Sequence, residues 1–248
     1  GFSLIASIIK HAPLVSEIHA DYLQGHVTAL KDRLILPIVL KKSIMVRAVN
    51  KHLVETIRNY TGTRVVYLPS VYVDLNVFKP KIFFDERGRR ILFVARLEPQ
   101  KNPDLLVRAM KHVVREVPDA ELKIIGRGSM SGLVRELIAK LDLQRFVKLE
   151  HGWISQDRLA DEYNQAGLFA CVSSYEGGPR TVFEAAACMT PSVSTPVGIV
   201  SEVFRHLESV YIIDRLRPED VADAIVTMLE DSGLRRKIAE NAYRITVE

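Results

Sequence analysis

Short apolar runs that alternate with helical stretches dominate the chain from residue 90 onward. Six runs have the length and composition of buried strands, and a segment of helical periodicity follows each of them. They lie at 91–95, 121–125, 146–149, 168–172, 192–195 and 210–213. The first 79 residues carry three similar extended segments, at 14–18, 44–46 and 65–67. Because strands that alternate with helices form parallel sheets covered on both faces, we predict an α/β protein with two parallel-sheet domains.

The composition is that of an ordinary globular protein. The 248 residues are 48% hydrophobic, which is enough for two modest domains with sizeable cores. The 34 basic and 30 acidic residues are mostly interspersed, so the net charge of +4 is weak evidence for nucleic acid and suits a small anionic ligand or a membrane surface equally. Cys171 and Cys188 lie in apolar segments, and no apolar run reaches the roughly 20 residues that a membrane span needs. We therefore expect a cytoplasmic protein.

The stretch 176–184 lies between a predicted strand and a predicted helix. Gly177 and Gly178 allow a sharp turn, and Pro179 suits the first position of a helix, where its missing N–H costs nothing. The next backbone amides point out of the helix end, where an anion gains from both hydrogen bonds and the helix dipole. The stretch therefore predicts a cradle for a phosphate or a sugar.

Two carboxylates belong to the same stretch. Glu176 lies in the loop, whereas Glu184 lies one turn into a helix whose neighbouring residues are almost all apolar. Two interpretations remain open at this point. Either Glu184 faces solvent or a local arginine, or both carboxylates accept hydrogen bonds from hydroxyl groups of a ligand.

A second candidate loop follows the run at 91–95. Asn102 is a good helix cap and Pro103 a good first helical residue, so Arg96 and Lys101 bracket a loop between a strand and a helix. Both cations could bind one diphosphate, or both could be solvated charges. The residues alone leave these two interpretations open.

Three further positions carry weaker signals. Gly126 and Gly128 form a turn in which a nucleotide can approach the backbone, but Gly132 comes one residue too late for the dinucleotide fingerprint. Trp153 could flank a base or lie in the core or at the rim. His19 ends the first predicted strand, where open α/β sheets bind ligands, although a single histidine is more often structural.

The motif Glu-x7-Glu, with Gly and Pro inside and Thr-Pro after it, resembles the signature of the retaining GT-B glycosyltransferases of family GT4. In that family the first Glu lies beside the transferred sugar and the second binds the ribose hydroxyls, and these roles match Glu176 and Glu184. Arg96 and Lys101 match the Arg and Lys that bind the donor pyrophosphate. Met189 stands where the family usually has a glycine.

The resemblance implies further contacts to the donor. It places His19 beside the donor sugar, as a catalytic residue together with Glu176, Arg96 and Lys101. It places Gly126, Gly128 and Trp153 near the nucleoside. The remaining implied donor contacts are Gly177, Gly178, Arg180 and Thr181.

The resemblance also implies a fold and a reaction. The fold is of the GT-B type, with two Rossmann-like domains: an incomplete acceptor-side domain at 1–79 and a domain that binds the nucleotide-sugar at 80–248. The reaction is a metal-independent transfer of a hexose, with retention, from a UDP-, GDP- or ADP-sugar to a sugar, lipid or small-molecule acceptor, without a further cofactor. Because the first domain lacks its opening strands, we expect the chain as given to bind the donor but to transfer sugar poorly.

Other interpretations stay open. The competing functions are a dinucleotide-dependent oxidoreductase and a non-catalytic nucleotide-binding module. The apolar segment 34–40, followed by Lys41 and Lys42, is either a core helix with a solvated basic end or a face for a lipid surface. The second interpretation implies peripheral contact with the inner face of the membrane.

Overall fold

The structure is a computed structural model that describes residues 13–18, 30–69 and 71–248. The chain divides into two compact units, one comprising Gly1–Ser70 with Glu176–Gly178 and the other Val71–Tyr175 with Pro179–Glu248. The predicted domain boundary after residue 79 concerns where an independently folding domain begins, and it stays a prediction.

The first unit contains a three-stranded parallel sheet in the order β1-β2-β3. Its described elements are β1 (Leu14–Ile18), α1 (Leu30–Lys42), β2 (Ser43–Ala48), α2 (Lys51–Tyr60) and β3 (Arg64–Tyr67). Helix α2 begins directly after Asn50, whose Oδ1 caps the helix by accepting a 2.8 Å hydrogen bond from the backbone N–H of Leu53. Leu40, Val46 and Ile57 form part of its buried core.

The second unit contains a six-stranded parallel sheet in the order β6-β5-β4-β7-β8-β9. Its strands are β4 (Arg90–Val94), β5 (Glu121–Gly126), β6 (Val147–His151), β7 (Leu168–Cys171), β8 (Ser192–Ser194) and β9 (Tyr211–Ile212). Its helices are α3 (Pro103–Glu116), α4 (Ser131–Lys140), α5 (Gln156–Gln165), α6 (Arg180–Ala187), α7 (Val200–Val203), α8 (Pro218–Glu230) and α9 (Ser232–Val247). All six apolar runs form strands, which confirms the predicted α/β class with parallel sheets.

Strand β4 shows why these strands are apolar on both faces. Ile91 and Phe93 pack into the core on one side of the sheet, whereas Leu92 and Val94 pack into the core on the other side. Successive side chains of a strand point to opposite faces, so a parallel strand between two helical layers buries every one of them. The continuous apolar run at 91–95 follows from this double burial.

Two helix starts differ from the prediction. Asn102 precedes α3 in the left-handed conformation, with φ 49° and ψ 45°, and its side chain does not cap the helix. Pro103 is the first residue of α3, as predicted. Pro179 precedes α6 instead of opening it, since the helix starts at Arg180. The side chain of Asn102 instead makes hydrogen bonds to another loop of the second unit.

Within the ranges described, no helix has the length and apolar character that crossing a membrane would require.

Candidate functional site

The order in which strands are added to the second sheet reverses between β4 and β7, although all its strands are parallel. The chain builds outward from β4 to β5 and β6 on one side, and then returns to add β7, β8 and β9 on the other side. Open parallel sheets bind ligands outside the carboxyl ends of their strands at such a point, because two loops diverge there and leave a crevice. The loops after β4 and β7 begin at this point, and together with helix α6 they carry most of the predicted site residues.

Asn102 joins these two loops. Its Nδ2 donates hydrogen bonds of 2.8 Å to the carbonyl oxygen of Val172 and of 2.8 Å to Oγ of Ser174. The backbone N–H of Ser174 donates in turn to the carbonyl oxygen of Gln100 at 2.8 Å. Asn102, in its left-handed backbone conformation, thus connects the two loops through its side chain. The sequence predicted only a helix cap here, because the partner loop lies 70 residues later in the chain.

The two predicted cations lie on the loop after β4. The side chain of Arg96 is exposed, and within the described part of the chain that side chain makes no hydrogen bond or ion pair. Lys101 is half-buried at the end of a short 3₁₀ turn and already interacts with another group of the protein. The structure therefore brings both cations to the switch point, with Arg96 open to solvent.

The loops after β4 and β5 are tied to each other by Glu98. Its Oε1 accepts a 3.2 Å hydrogen bond from the backbone N–H of Ser129, and its Oε2 accepts one of 2.5 Å from the Ser129 hydroxyl. These hydrogen bonds hold the pKa of the Glu98 carboxyl below its usual range. No local motif in the sequence indicates this contact between Glu98 and Ser129.

The same two loops approach each other at backbone distance. A Cβ atom on Gly126 would lie 1.9 Å from the carbonyl oxygen of Ala95, and one on Gly128 would lie 2.4 Å from that of Leu97. Both separations are far below van der Waals contact, so only glycine fits. The predicted role of these glycines was close approach to a nucleotide, and the structure shows that they first permit close approach of another loop.

Trp153 follows β6, at the same carboxyl end of the strands as the two loops. Its side chain is 59% exposed, so it does not belong to the core. The guanidinium of Arg127 lies 5.9 Å from its ring centroid, and the backbone N–H of Gly152 donates to the carbonyl oxygen of Gly126 at 3.2 Å. An exposed indole beside the β5 loop offers a flat surface for a base, and that role stays a prediction.

Helix α6 begins directly after the predicted cradle. The first amides of a helix have no acceptor within it, and those of Arg180 and Thr181 open this helix. The preceding residues Glu176–Gly178 group with the first unit, where Asn50 Nδ2 donates to the carbonyl oxygen of Gly177 at 3.2 Å. Glu176 is half-buried and interacts with another group of the chain. A helix therefore follows the stretch 176–179, and the binding of an anion there stays a prediction.

Glu184 is buried, with 2% of its surface exposed. Its Oε1 lies 3.0 Å from Nε of Arg180, and its Oε2 accepts a 3.1 Å hydrogen bond from the hydroxyl of Tyr163 on α5. Burial raises the pKa of the Glu184 carboxyl above its ordinary value, while Arg180 and Tyr163 act in the opposite direction. The solvent-facing interpretation is wrong and the pairing with a local arginine is confirmed, whereas ribose binding stays a prediction.

His19 lies outside the described residues, so its role beside the donor sugar stays a prediction. In the portion of the chain that the structure describes, no three His, Cys, Asp or Glu side chains cluster in a way that could hold a metal ion. The expected independence from metals and cofactors is likewise still a prediction.

Comparison with known proteins gives a consistent result. A model of the family described as glycosyl transferases group 1 matches residues 76–245. The D-inositol 3-phosphate glycosyltransferase of Rhodococcus jostii is 31% identical over 173 residues, which cover 67% of this chain and 38% of that protein. The N-acetyl-alpha-D-glucosaminyl L-malate synthase of Bacillus anthracis is 26% identical, over 79% of this chain and 49% of that one. The chain thus spans less than half the length of these two relatives.

Solved structures show the same fold. Anabaena Alr3699/HepE in complex with UDP-glucose superposes with a TM-score of 0.85 and 20% identity over 98% of this chain and 69% of that one. The C-terminal domain of the group 1 glycosyl transferase LpcC from Francisella tularensis superposes with a TM-score of 0.63 and 22% identity, over 71% of this chain and 97% of that domain. These likenesses confirm the predicted GT-B type of fold.

Proposed function

This chain belongs to the glycosyl transferases group 1 family, and on that premise we propose that it transfers a sugar from a nucleotide-sugar donor to an acceptor. The observation that carries the proposal is the pair of loops that Asn102 joins at the switch point of the second sheet. One loop presents Arg96 and Lys101, and the other leads to the helix that starts at Arg180. Cations and free helix amides at one crevice suit a diphosphate.

We assign the diphosphate to Arg96, Lys101 and the first amides of α6. When the nucleoside diphosphate leaves, negative charge grows on its β-phosphate, and groups fixed beside that oxygen stabilise the transition state more than the ground state. Two cations and a helix start can supply this stabilisation. The proposed transfer is therefore metal-independent, and it needs no cofactor besides the donor.

We assign the transferred hexose to Glu176, with Gly177 and Gly178, and to His19. The proposed reaction keeps the anomeric configuration of the sugar. No protein nucleophile is part of this proposal. We propose that the carbonyl or the side chain of His19 stabilises the positive charge that develops on the sugar.

We assign the nucleoside to the adjoining loops. Glu184 is the proposed acceptor for the ribose hydroxyls, while Gly126, Gly128 and the exposed ring of Trp153 are proposed to surround the base. UDP is the first nucleotide to test, because solved structures of this fold contain UDP or UDP-glucose.

The acceptor is proposed to be a sugar, a small polar molecule or a lipid. The names of the curated relatives indicate small polar acceptors, inositol phosphate and malate. A lipid surface is supported by Ile35 and Ile38, which are 42% and 53% exposed on α1, and by the exposed Lys41 and Lys42 at its end. Co-sedimentation with vesicles of phosphatidylserine and phosphatidylcholine tests this contact, and equal binding of an Ile35→Asn, Ile38→Asn variant would exclude it.

We propose a cytoplasmic location, with any membrane contact at the inner face. Cys171 and Cys188 are both free and buried, and a reducing compartment preserves such thiols.

A titration with UDP, GDP, ADP and NAD tests the proposed function. We expect one nucleoside diphosphate to bind and NAD not to bind, which separates the proposal from the oxidoreductase alternative. Ligand at a hundred times its dissociation constant stabilises a fold by roughly 2.7 kcal/mol, which a thermal melt detects. If no nucleoside diphosphate raises the melting temperature, the proposal is wrong. Incubation of the nucleotide-sugar with candidate acceptors then distinguishes a transferase from a nucleotide-binding module.

A further inference from the structure

The carboxylate of Glu184 has acceptor capacity left after its contacts within the protein. An ionised carboxylate offers about four lone-pair sites on its two oxygens. In the structure Oε1 faces Nε of Arg180 and Oε2 accepts from the Tyr163 hydroxyl, so each oxygen has one donor. About one further site on each oxygen remains. Two acceptor sites side by side suit two neighbouring hydroxyl groups of a ribose.

This capacity exists only while the carboxylate is charged. Protonation would turn one of the oxygens into a donor and remove part of the capacity. Burial favours protonation, because it takes the charge out of water. Arg180 is the cation that faces Glu184, and the Tyr163 hydroxyl is the second group that opposes protonation.

The other titratable groups around Glu184 do not replace Arg180. Cys188 directly follows α6, and burial raises the pKa of its thiol to about 12, so it is neutral near pH 7. Cys171 on β7 lies near Tyr163, which is itself neutral because burial raises its pKa. Helix α9 contributes the uncharged Ala242 to the core around α6. Arg87 is a further cation near this end of α6, but its guanidinium donates to the carbonyl oxygen of Cys188 and not to Glu184.

We propose that the guanidinium of Arg180 is a positioning group, which keeps Glu184 ionised and oriented so that it accepts both ribose hydroxyls of the donor. This inference rests on the proposed function. The family resemblance implies that Arg180 is a donor contact at the helix start, with no role for its side chain in holding Glu184. The new role belongs to its side chain, which acts on the ligand through Glu184.

A direct contact between Arg180 and the diphosphate is the rival role. The side chain of Arg180 is 60% exposed at the helix start, so the guanidinium could turn toward a phosphate instead. The two roles differ in which part of the ligand they affect. A positioning role concerns the ribose hydroxyls, whereas a direct contact concerns the phosphates. Ligands that differ only in those hydroxyls separate the two.

The experiment compares UDP with 2′,3′-dideoxy-UDP, or the corresponding guanosine or adenosine pair if the titration selects that base. Calorimetry is done on the unmodified chain and on Arg180→Met, which keeps an apolar stem without the charge. We expect the unmodified chain to prefer UDP over the dideoxy analogue about tenfold, the scale of a charge-assisted hydrogen bond. In Arg180→Met this preference should fall to less than threefold, with dideoxy-UDP affinity unchanged within twofold.

Two further arms use the same ligands. Arg180→Lys keeps a cation within reach of Glu184 and should restore most of the preference. Arg89→Met removes an exposed arginine whose ion pair with Asp119, at 2.9 Å, lies at the opposite edge of the sheet, and it should change neither affinity. As the pH is lowered, the preference for UDP should disappear at a higher pH in Arg180→Met than in the unmodified chain, because Glu184 of the variant protonates more readily.

The outcomes are distinct. Equal losses for UDP and dideoxy-UDP in Arg180→Met would assign Arg180 to the diphosphate and overturn the positioning role alone. An unchanged preference, or a pH dependence that does not move, would also overturn it. If neither ligand binds the unmodified chain and no other nucleotide pair does, the proposed function fails and this inference fails with it.

Discussion

Nη1 of Arg87 donates a 2.9 Å hydrogen bond to the carbonyl oxygen of Met189, which lies in the left-handed conformation with φ 54°. Nη2 of the same guanidinium donates to the carbonyl oxygen of Cys188 at 2.8 Å. The buried cation therefore binds the carbonyl end of α6, where the helix dipole is negative. At Met189 the GT4 signature has a glycine, and in this chain the arginine stabilises a turn that a side chain strains.

Met189→Gly should raise the free energy of unfolding by about 1 kcal/mol, because a non-glycine residue in the left-handed region costs about 1–2 kcal/mol and glycine loses part of this gain in chain entropy. Urea unfolding measures the change. Asp142 is a useful comparison, since it has φ 56° but belongs to a residue type that tolerates this region better. Asp142→Gly should therefore gain less, and a destabilised Met189→Gly would contradict the strain.

Gly128→Ala should displace the loop that carries it, because the new Cβ would lie 2.4 Å from the carbonyl oxygen of Leu97. We expect a loss of about 1–3 kcal/mol in unfolding free energy, the usual cost of overpacking. Gly132→Ala is the matched control, since a Cβ added there would have nothing within 4 Å and Gly132 is the second residue of α4. It should gain about 0.5–1 kcal/mol. Thermal melts of the two variants should move in opposite directions.

Arg96→Ala and Lys101→Ala should each weaken nucleoside diphosphate binding by about 1.5–3 kcal/mol, the scale of a hydrogen bond to a charged group. Calorimetry measures the affinity, and an unchanged melting temperature without ligand shows that the fold is intact. Arg89→Ala, at the amino edge of the same sheet, serves as the control and should bind normally. If the two site variants bind as tightly as the control, neither cation contacts the diphosphate.

Glu176→Ala should affect the sugar rather than the nucleotide. We expect it to weaken binding of the intact nucleotide-sugar more than binding of the bare nucleoside diphosphate, because its assigned partner is the hexose. Parallel titrations with UDP-glucose and UDP measure the difference. Losses of the same size for both ligands would indicate that Glu176 holds the loop and does not contact the sugar.

Glu184 should make stability depend on pH. Its pKa in the folded chain is raised by burial, so the protonated form is the one that folding favours. The resulting stabilisation is fully present below the unfolded value near 4.5 and is lost as pH rises through the folded value. The Glu184→Gln variant should not lose this stabilisation as pH rises, because its side-chain amide does not titrate. The unfolding free energy of the unmodified chain, relative to that variant, should therefore fall between pH 4 and neutrality, and parallel curves would contradict it.

The sequence determined which segments are strands and helices. The run at 91–95 has the length and composition of a buried strand, and Asn50 caps α2 through a bond to a residue three positions later. Such signals are local, because the apolar period and the helix cap depend on neighbours within one or two turns. The glycosyltransferase signature at 176–184 was recognised for the same reason, since its residues are close together in the chain.

Only the tertiary structure decided what the individual side chains contact. Asn102 has the sequence context of a cap, yet it bridges two loops, because the carbonyl oxygen of Val172 lies within its reach. Glu184 is held by Tyr163 from another helix, and no spacing within the motif indicates that partner. Hydrogen-bond partners and desolvation depend on which elements the sheet order makes neighbours. That order is set by packing of the whole domain, so these contacts could not be read from any one segment.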